Sequence, residues 1–83
     1  MNHASKILEF ADRFTGRLDS TLIIQALDYI RYNEEALALE ILCEQLFEHE
    51  VSISADECTI AETLAMKLNI QSNAIKRLHE LVQ

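Results

Sequence analysis

The sequence predicts an all-α protein, a compact bundle of about five short helices forming one domain over residues 1–83. Three observations carry that expectation. The chain has no proline and a single glycine, Gly16, which leaves little from which to build tight hairpin turns. Apolar residues recur three and four positions apart, the spacing that lines one face of a helix. Capping residues stand ahead of several of these runs. At 83 residues and 49% hydrophobic content, the chain can bury one modest core and is apolar enough to fold.

The first helix is expected over about Ala4 to Thr15, with Ile7, Leu8, Ala11 and Phe14 inward and Gly16 as its stop. The second starts at Asp19 or Ser20, either of which can accept from the free N–H groups of a first turn. Its apolar face is Leu22, Ile23, Ala26, Leu27 and Ile30. Tyr32-Asn33 punctuates, and Asn33 is placed to cap a third helix whose core side is Leu39, Leu42, Cys43 and Leu46. After the short stretch VSIS, Ser54 and Glu57 form a capping-box pattern. The fourth helix carries Cys58, Ala61, Leu64, Ala65 and Leu68, and Asn69 can end it. Ile70 tucks inward. Ser72 starts a last helix with Ile75, Leu78 and Leu81 or Val82 inside.

Net charge is −7, and its distribution is uneven. Between Tyr32 and Met66 lie Glu34, Glu35, Glu40, Glu44, Glu48, Glu50, Asp56, Glu57 and Glu62, with no lysine or arginine among them. The flanks hold all seven basic residues. Binding of nucleic acid or an anionic membrane by the middle of the chain is therefore disfavoured, because like charges would meet.

At about 100° per residue, Glu40, Glu44 and Glu48 form one stripe on the third helix, and like charges at that spacing weaken an isolated helix. Leu37, Ile41 and Phe47 fall beside or within the stripe. Glu34 and Glu35 are ordinary first-turn carboxylates, favourable against the positive helix end. Glu48 and Glu50 sit at the wrong pole. A helix face meant only for solvent usually interleaves signs. The stripe is thus a candidate surface for a basic partner, with Glu40, Glu44 and Glu48 supplying charge and Phe47, Tyr29 and Tyr32 serving as apolar anchors. A nuclease, whose own groove must be basic to hold phosphates, is one such partner.

Chemistry is not nominated by any motif. His3, His49 and His79 are scattered, and no histidine stands three residues after a glutamate, as bundle di-metal sites require. HExxH, a glycine-rich phosphate loop and Cys-x-x-Cys are missing. No catalytic residue, metal or cofactor is expected. Cys43 and Cys58 lie in apolar helical patterns and read as buried thiols. LDSTL at Leu18 to Leu22 has the Asp-Ser of a carrier-protein attachment site, but then a threonine, and only one helix precedes it. The N-terminus has no signal-peptide pattern and no apolar run is long enough to span a membrane, so a cytoplasmic protein is expected.

The block ALDYIRYNEEALALEILCEQLFEHEVSIS, Ala26 to Ser54, resembles the MafI family of small bacterial immunity proteins. The tyrosine-containing turn, the segment ALEILCEQLFE from Ala38 to Glu48, and the VSIS lead into an acidic helix start carry the resemblance. The tail from Met66 to Leu81 has the same general layout. Family members often have a glycine or two around the turn, where this chain has YNEEA. The resemblance implies a binding role. Such proteins are encoded beside secreted polymorphic or contact-dependent toxins and neutralise the matching C-terminal toxin domain in the cytoplasm, and related toxin domains include ribonucleases, EndoU-like ones among them. The expected partner is thus a basic toxin domain, met by a monomer. The alternative is a helical adaptor or homo-oligomerisation module, in which the exposed apolar residues pair with another copy.

Overall fold

The computed structural model describes residues 3–83. Its order is α1 (Ala4–Asp12), α2 (Ser20–Asp28), a 3-10 turn (Tyr29–Tyr32), α3 (Glu35–Glu48), α4 (Ala55–Lys67), α5 (Asn73–Lys76) and a second 3-10 turn (Leu78–Leu81). The five helices of the all-α expectation are present, and the described residues contain no strand longer than an isolated bridge. The radius of gyration, 11.3 Å, is close to the ~12 Å of a compact domain of this length.

The helix starts follow the local chemistry. Asp19 caps α2 by accepting from the Thr21 N–H at 2.8 Å. Ser54 caps α4 as a full capping box: its hydroxyl accepts from the Glu57 N–H at 3.0 Å while the Glu57 carboxylate accepts from the Ser54 N–H at 2.9 Å. Ser72 caps α5 through the Ala74 N–H. Asn33 does not cap α3. It adopts a left-handed conformation, φ 59°, and ends the 3-10 turn before it, because a short polar side chain tolerates that region best. Glu34 takes the capping position of α3 without a side-chain bond.

The helix ends show how a chain with one glycine stops. Asn69 (φ 58°) ends α4, with the Ile70 N–H donating to the Ala65 carbonyl and the Asn69 N–H to Met66. Glu50 (φ 50°) ends α3 in the same way, through Val51 N–H to Leu46 and Glu50 N–H to Phe47. This is the paired bond pattern that usually uses glycine. α1 stops at Asp12, earlier than Thr15, and an irregular turn through Gly16 (φ 87°) leads to α2.

α3 is the central helix, packed on α1, α2, α4 and α5. Leu39, Leu42, Cys43 and Leu46 are fully buried in one core with Ile7, Phe10, Phe14, Ala26, Ala61 and Leu78 of the surrounding elements, and Ala38 is buried too. In α1 the inward residue is Phe10, and Leu8 is exposed, contrary to expectation. At about 100° per residue Phe10 lies roughly 40° beyond one edge of the arc of Ile7, Ala11 and Phe14, and Leu8 roughly 60° beyond the other, so Phe10 is the nearer to the core. Phe10 then meets Phe14 edge-on, ring centroids 5.0 Å apart. The last helix is also shorter than a continuous pattern suggests. It passes at Arg77 into the 3-10 turn, and the chain end is held by Ile53, whose N–H donates to the Leu81 carbonyl while its own carbonyl accepts from the Gln83 N–H, both at 3.1 Å.

Candidate protein-binding surface

The central position of α3 accounts for its crowded charges. Most of its circumference is taken by core contacts, so polar residues are confined to what remains. Within α3 the exposed residues are Leu37, Glu44 and Glu48, and Glu40 and Ile41 are half-buried along the same ridge. Glu40, Glu44 and Glu48 make no ion pair with any described residue. The stripe is thus a narrow acidic window onto the central helix, with Leu37 and Ile41 as its apolar part.

Phe47 is not a bare anchor. It is half-buried against the core, and the Arg77 guanidinium lies 4.3 Å above its ring. Arg77 is in turn gripped by Glu80, Nε to Oε2 at 3.0 Å and Nη2 to Oε1 at 3.2 Å. Hydrogen bonds from Arg77 hold the Glu80 carboxyl below its ordinary range. Glu44, Phe47, Glu48, Asn73, Ala74 and Arg77 line one shallow groove. One end of the acidic stripe therefore carries a cation that pattern reasoning missed, since Arg77 is thirty positions from Phe47 and belongs to another element.

The tyrosines are elsewhere. Tyr29 and Tyr32 are exposed on the 3-10 turn that precedes α3, with Tyr32 at 64%. With Ile24, Gln25 and Asp28 they line a separate groove. The Glu34 N–H donates to the Tyr29 carbonyl, which ties this turn to the start of α3. Phe47 stands some twelve residues further along that helix, roughly 18 Å away by helical rise. The six candidates thus form two patches: Glu40, Glu44, Glu48 and Phe47 in one, Tyr29 and Tyr32 in the other. Ile24, 66% exposed, joins the tyrosine patch. It was masked in sequence by a run of apolar neighbours.

Glu57 has a structural task. It is buried, and besides its capping bonds it receives Arg17 on both oxygens, Nη2 to Oε2 at 2.6 Å and Nη1 to Oε1 at 3.3 Å. Arg13 approaches the same carboxylate at 3.8 Å. Burial pushes this carboxyl up, but hydrogen bonds from Arg17 and Ser54 and the two guanidinium charges hold it below the ordinary carboxylate value. Arg17 also donates to the Ser52 and Arg13 carbonyls and stacks 4.6 Å from the Phe14 ring. One side chain therefore joins the turn after α1, the VSIS segment and the start of α4.

Both cysteines are free and buried. Burial raises the Cys43 thiol far above its usual range, with Cys58 and the nearby Glu44 and Glu40 charges acting in the same sense. Burial, then Glu62, raises Cys58. Neither has the electropositive setting of a reactive thiolate. His49 and His79 are exposed and His3 is half-buried. No group of three His, Cys, Asp or Glu residues able to hold a metal ion occurs among the described residues, and none of their helices is long and apolar enough to cross a membrane. No protein-family model, curated protein or solved structure matches the chain significantly.

Proposed function

We propose that this chain is a non-enzymatic immunity protein. It binds the basic C-terminal toxin domain of a secreted or contact-dependent toxin in the cytoplasm and covers that domain's substrate cleft. The toxin class that fits best is a ribonuclease, with EndoU-like domains among the candidates, because a phosphate-binding cleft presents the positive surface an acidic stripe complements. The observation that carries this reading is the unpaired row Glu40, Glu44 and Glu48 along the solvent ridge of the central helix. The carboxylates stand in for RNA phosphates and transfer no proton. The resemblance of Ala26 to Ser54 to the MafI family supports the same role on separate grounds. No cofactor, nucleic acid or membrane takes part, and the protein is a monomer until it meets the toxin.

The test is a charge reversal. Glu40→Lys, Glu44→Lys and Glu48→Lys together should weaken binding to the toxin domain encoded beside this gene by at least ~100-fold, since each close charge pair is worth about 1.5 kcal/mol or more. The helical circular-dichroism signal should persist. Unchanged binding and unchanged protection of cells would remove the stripe from the interface.

A homo-oligomerisation module is the second reading. It draws on the exposed Ile24, Tyr29 and Tyr32 groove, which a second copy could cover. Sedimentation of the isolated chain separates the two: a tight dimer lost in Ile24→Lys supports the module, and a monomer that shifts only with a basic partner supports immunity.

A further inference from the structure

We infer that the groove between α1 and α4 is a second docking site, which takes an acidic amphipathic helix of a partner protein. It shares no residue with the α3 ridge and does not depend on the immunity reading. Its floor is apolar, built from Phe10, Ile60 and Leu64, and its rim carries Lys6, Arg13 and Lys67 against one acid, Glu9. In a chain of net charge −7, this is a locally positive surface. The C-terminal pole of α4 accounts for Lys67, but not for Lys6 and Arg13 on the other wall.

The rim cations are available. Lys6 and Lys67 form no ion pair with any described residue. Among the described residues Arg13 pairs with Glu57 alone, at 3.8 Å against 2.6 Å for Arg17, and its side chain is 48% exposed. The shape selects the occupant. Lys6, Phe10 and Arg13 on one wall and Ile60, Leu64 and Lys67 on the other repeat at i, i+4 and i+7. Two such stripes, each about two turns long, are what a third helix reads through anchors at the same spacing. The cavity, about 280 Å³, falls below the roughly 300–1,000 Å³ of pockets that enclose small ligands. It suits a few apolar side chains whose flanking carboxylates meet the rim.

The experiment titrates the ¹⁵N-labelled protein with a synthetic helical peptide of about 15 residues, leucines at i, i+4 and i+7 flanked by glutamates. A twin peptide has lysines in place of the glutamates. The acidic peptide should shift the Phe10, Thr59 and Thr63 amides, and the twin should not. Lys6→Gln with Lys67→Gln should weaken the acidic peptide roughly tenfold, the sum of two rim ion pairs. The proposal is overturned if groove amides stay still or if both peptides bind alike. It is equally overturned if octanoate shifts them and the peptide does not, which would make this a site for a small anionic amphiphile. Self-association of the chain that disappears in the double variant would assign the groove to a second copy and overturn it too.

Discussion

Two regions of this domain use glutamate in opposite ways. At the start of α4, Glu57 is buried and takes hydrogen bonds from Ser54 and Arg17. On α3, Glu40, Glu44 and Glu48 form no ion pair among the described residues and lie along a solvent ridge. Both regions look the same as sequence, an acidic stretch without lysine or arginine. The difference teaches that a charge run divides by where its countercharges come from. Glu57 obtains its partners from Arg13 and Arg17, some forty residues earlier, and becomes part of the fold. The stripe obtains none among the described residues, beyond Arg77 at the edge.

The largest expected effect lies on the buried side. Glu57→Ala leaves the Ser54 cap but removes the reciprocal half of the capping box, a bond worth about 1 kcal/mol, and a charge-assisted hydrogen bond from Arg17 worth roughly another 1.5. Arg17, 39% exposed in its side chain, regains water and limits the loss. Thermal unfolding should show a Tm lowered by roughly 10–15 °C, at 4–8 °C per kcal/mol for a domain of this size. A shift under ~3 °C would mean the cluster is incidental. The pH dependence has a definite sign. The folded carboxyl of Glu57 sits below its ordinary value of 4.5, so its stabilisation is present above that value and is lost as pH falls through the folded pKa. The stability gap between the wild type and Glu57→Gln should therefore close on acidification, and a gap constant down to low pH would show that the charge plays no part.

A smaller effect is expected where the two regions adjoin. Glu50 holds φ 50° at the end of α3, a conformation costing ~1 kcal/mol for a side chain with a Cβ, and its charge faces the negative helix pole. Glu50→Gly should raise stability by about 0.5–1 kcal/mol in urea denaturation. A loss would indicate that the carboxylate has an unrecognised partner. The smallest effect belongs to the stripe. Glu40→Gln, Glu44→Gln and Glu48→Gln together should change stability by only a few tenths of a kcal/mol, in the stabilising direction, as i,i+4 repulsion is relieved. A large destabilisation would make the stripe a folding element like Glu57.

What was legible in the sequence was what nearest neighbours decide. Ser54 with Glu57, Asp19, Ser72 and Asn69 all act as their spacing indicates, and the buried sides of α3 and α4 follow helical periodicity. Phe10 and Leu8 flank opposite edges of the α1 stripe, and periodicity alone does not choose between them. Asn33 has two local uses, cap and left-handed stop, and the preceding turn decides between them. The bonds of Arg17 to Glu57, of Arg77 to Phe47 and of Ile53 to the chain end join residues 30 to 40 positions apart or near it. No period or cap encodes such pairs. The separation of the tyrosines from Phe47 is of the same kind, because it depends on how far α3 runs before the chain turns.

Arg17 also bears on how fast the domain opens. Its bonds to Ser52 and Glu57 close loops of 35 and 40 residues, so chain entropy opposes them until the helices have already assembled. Interactions formed after the rate-limiting step leave folding speed alone and slow escape from the native state. Arg17 is thus a latch, and its share of the stability is carried by the unfolding rate. In a denaturant chevron, Arg17→Ala should raise the unfolding arm and leave the refolding arm nearly in place. That slow opening sets how long a folded copy persists.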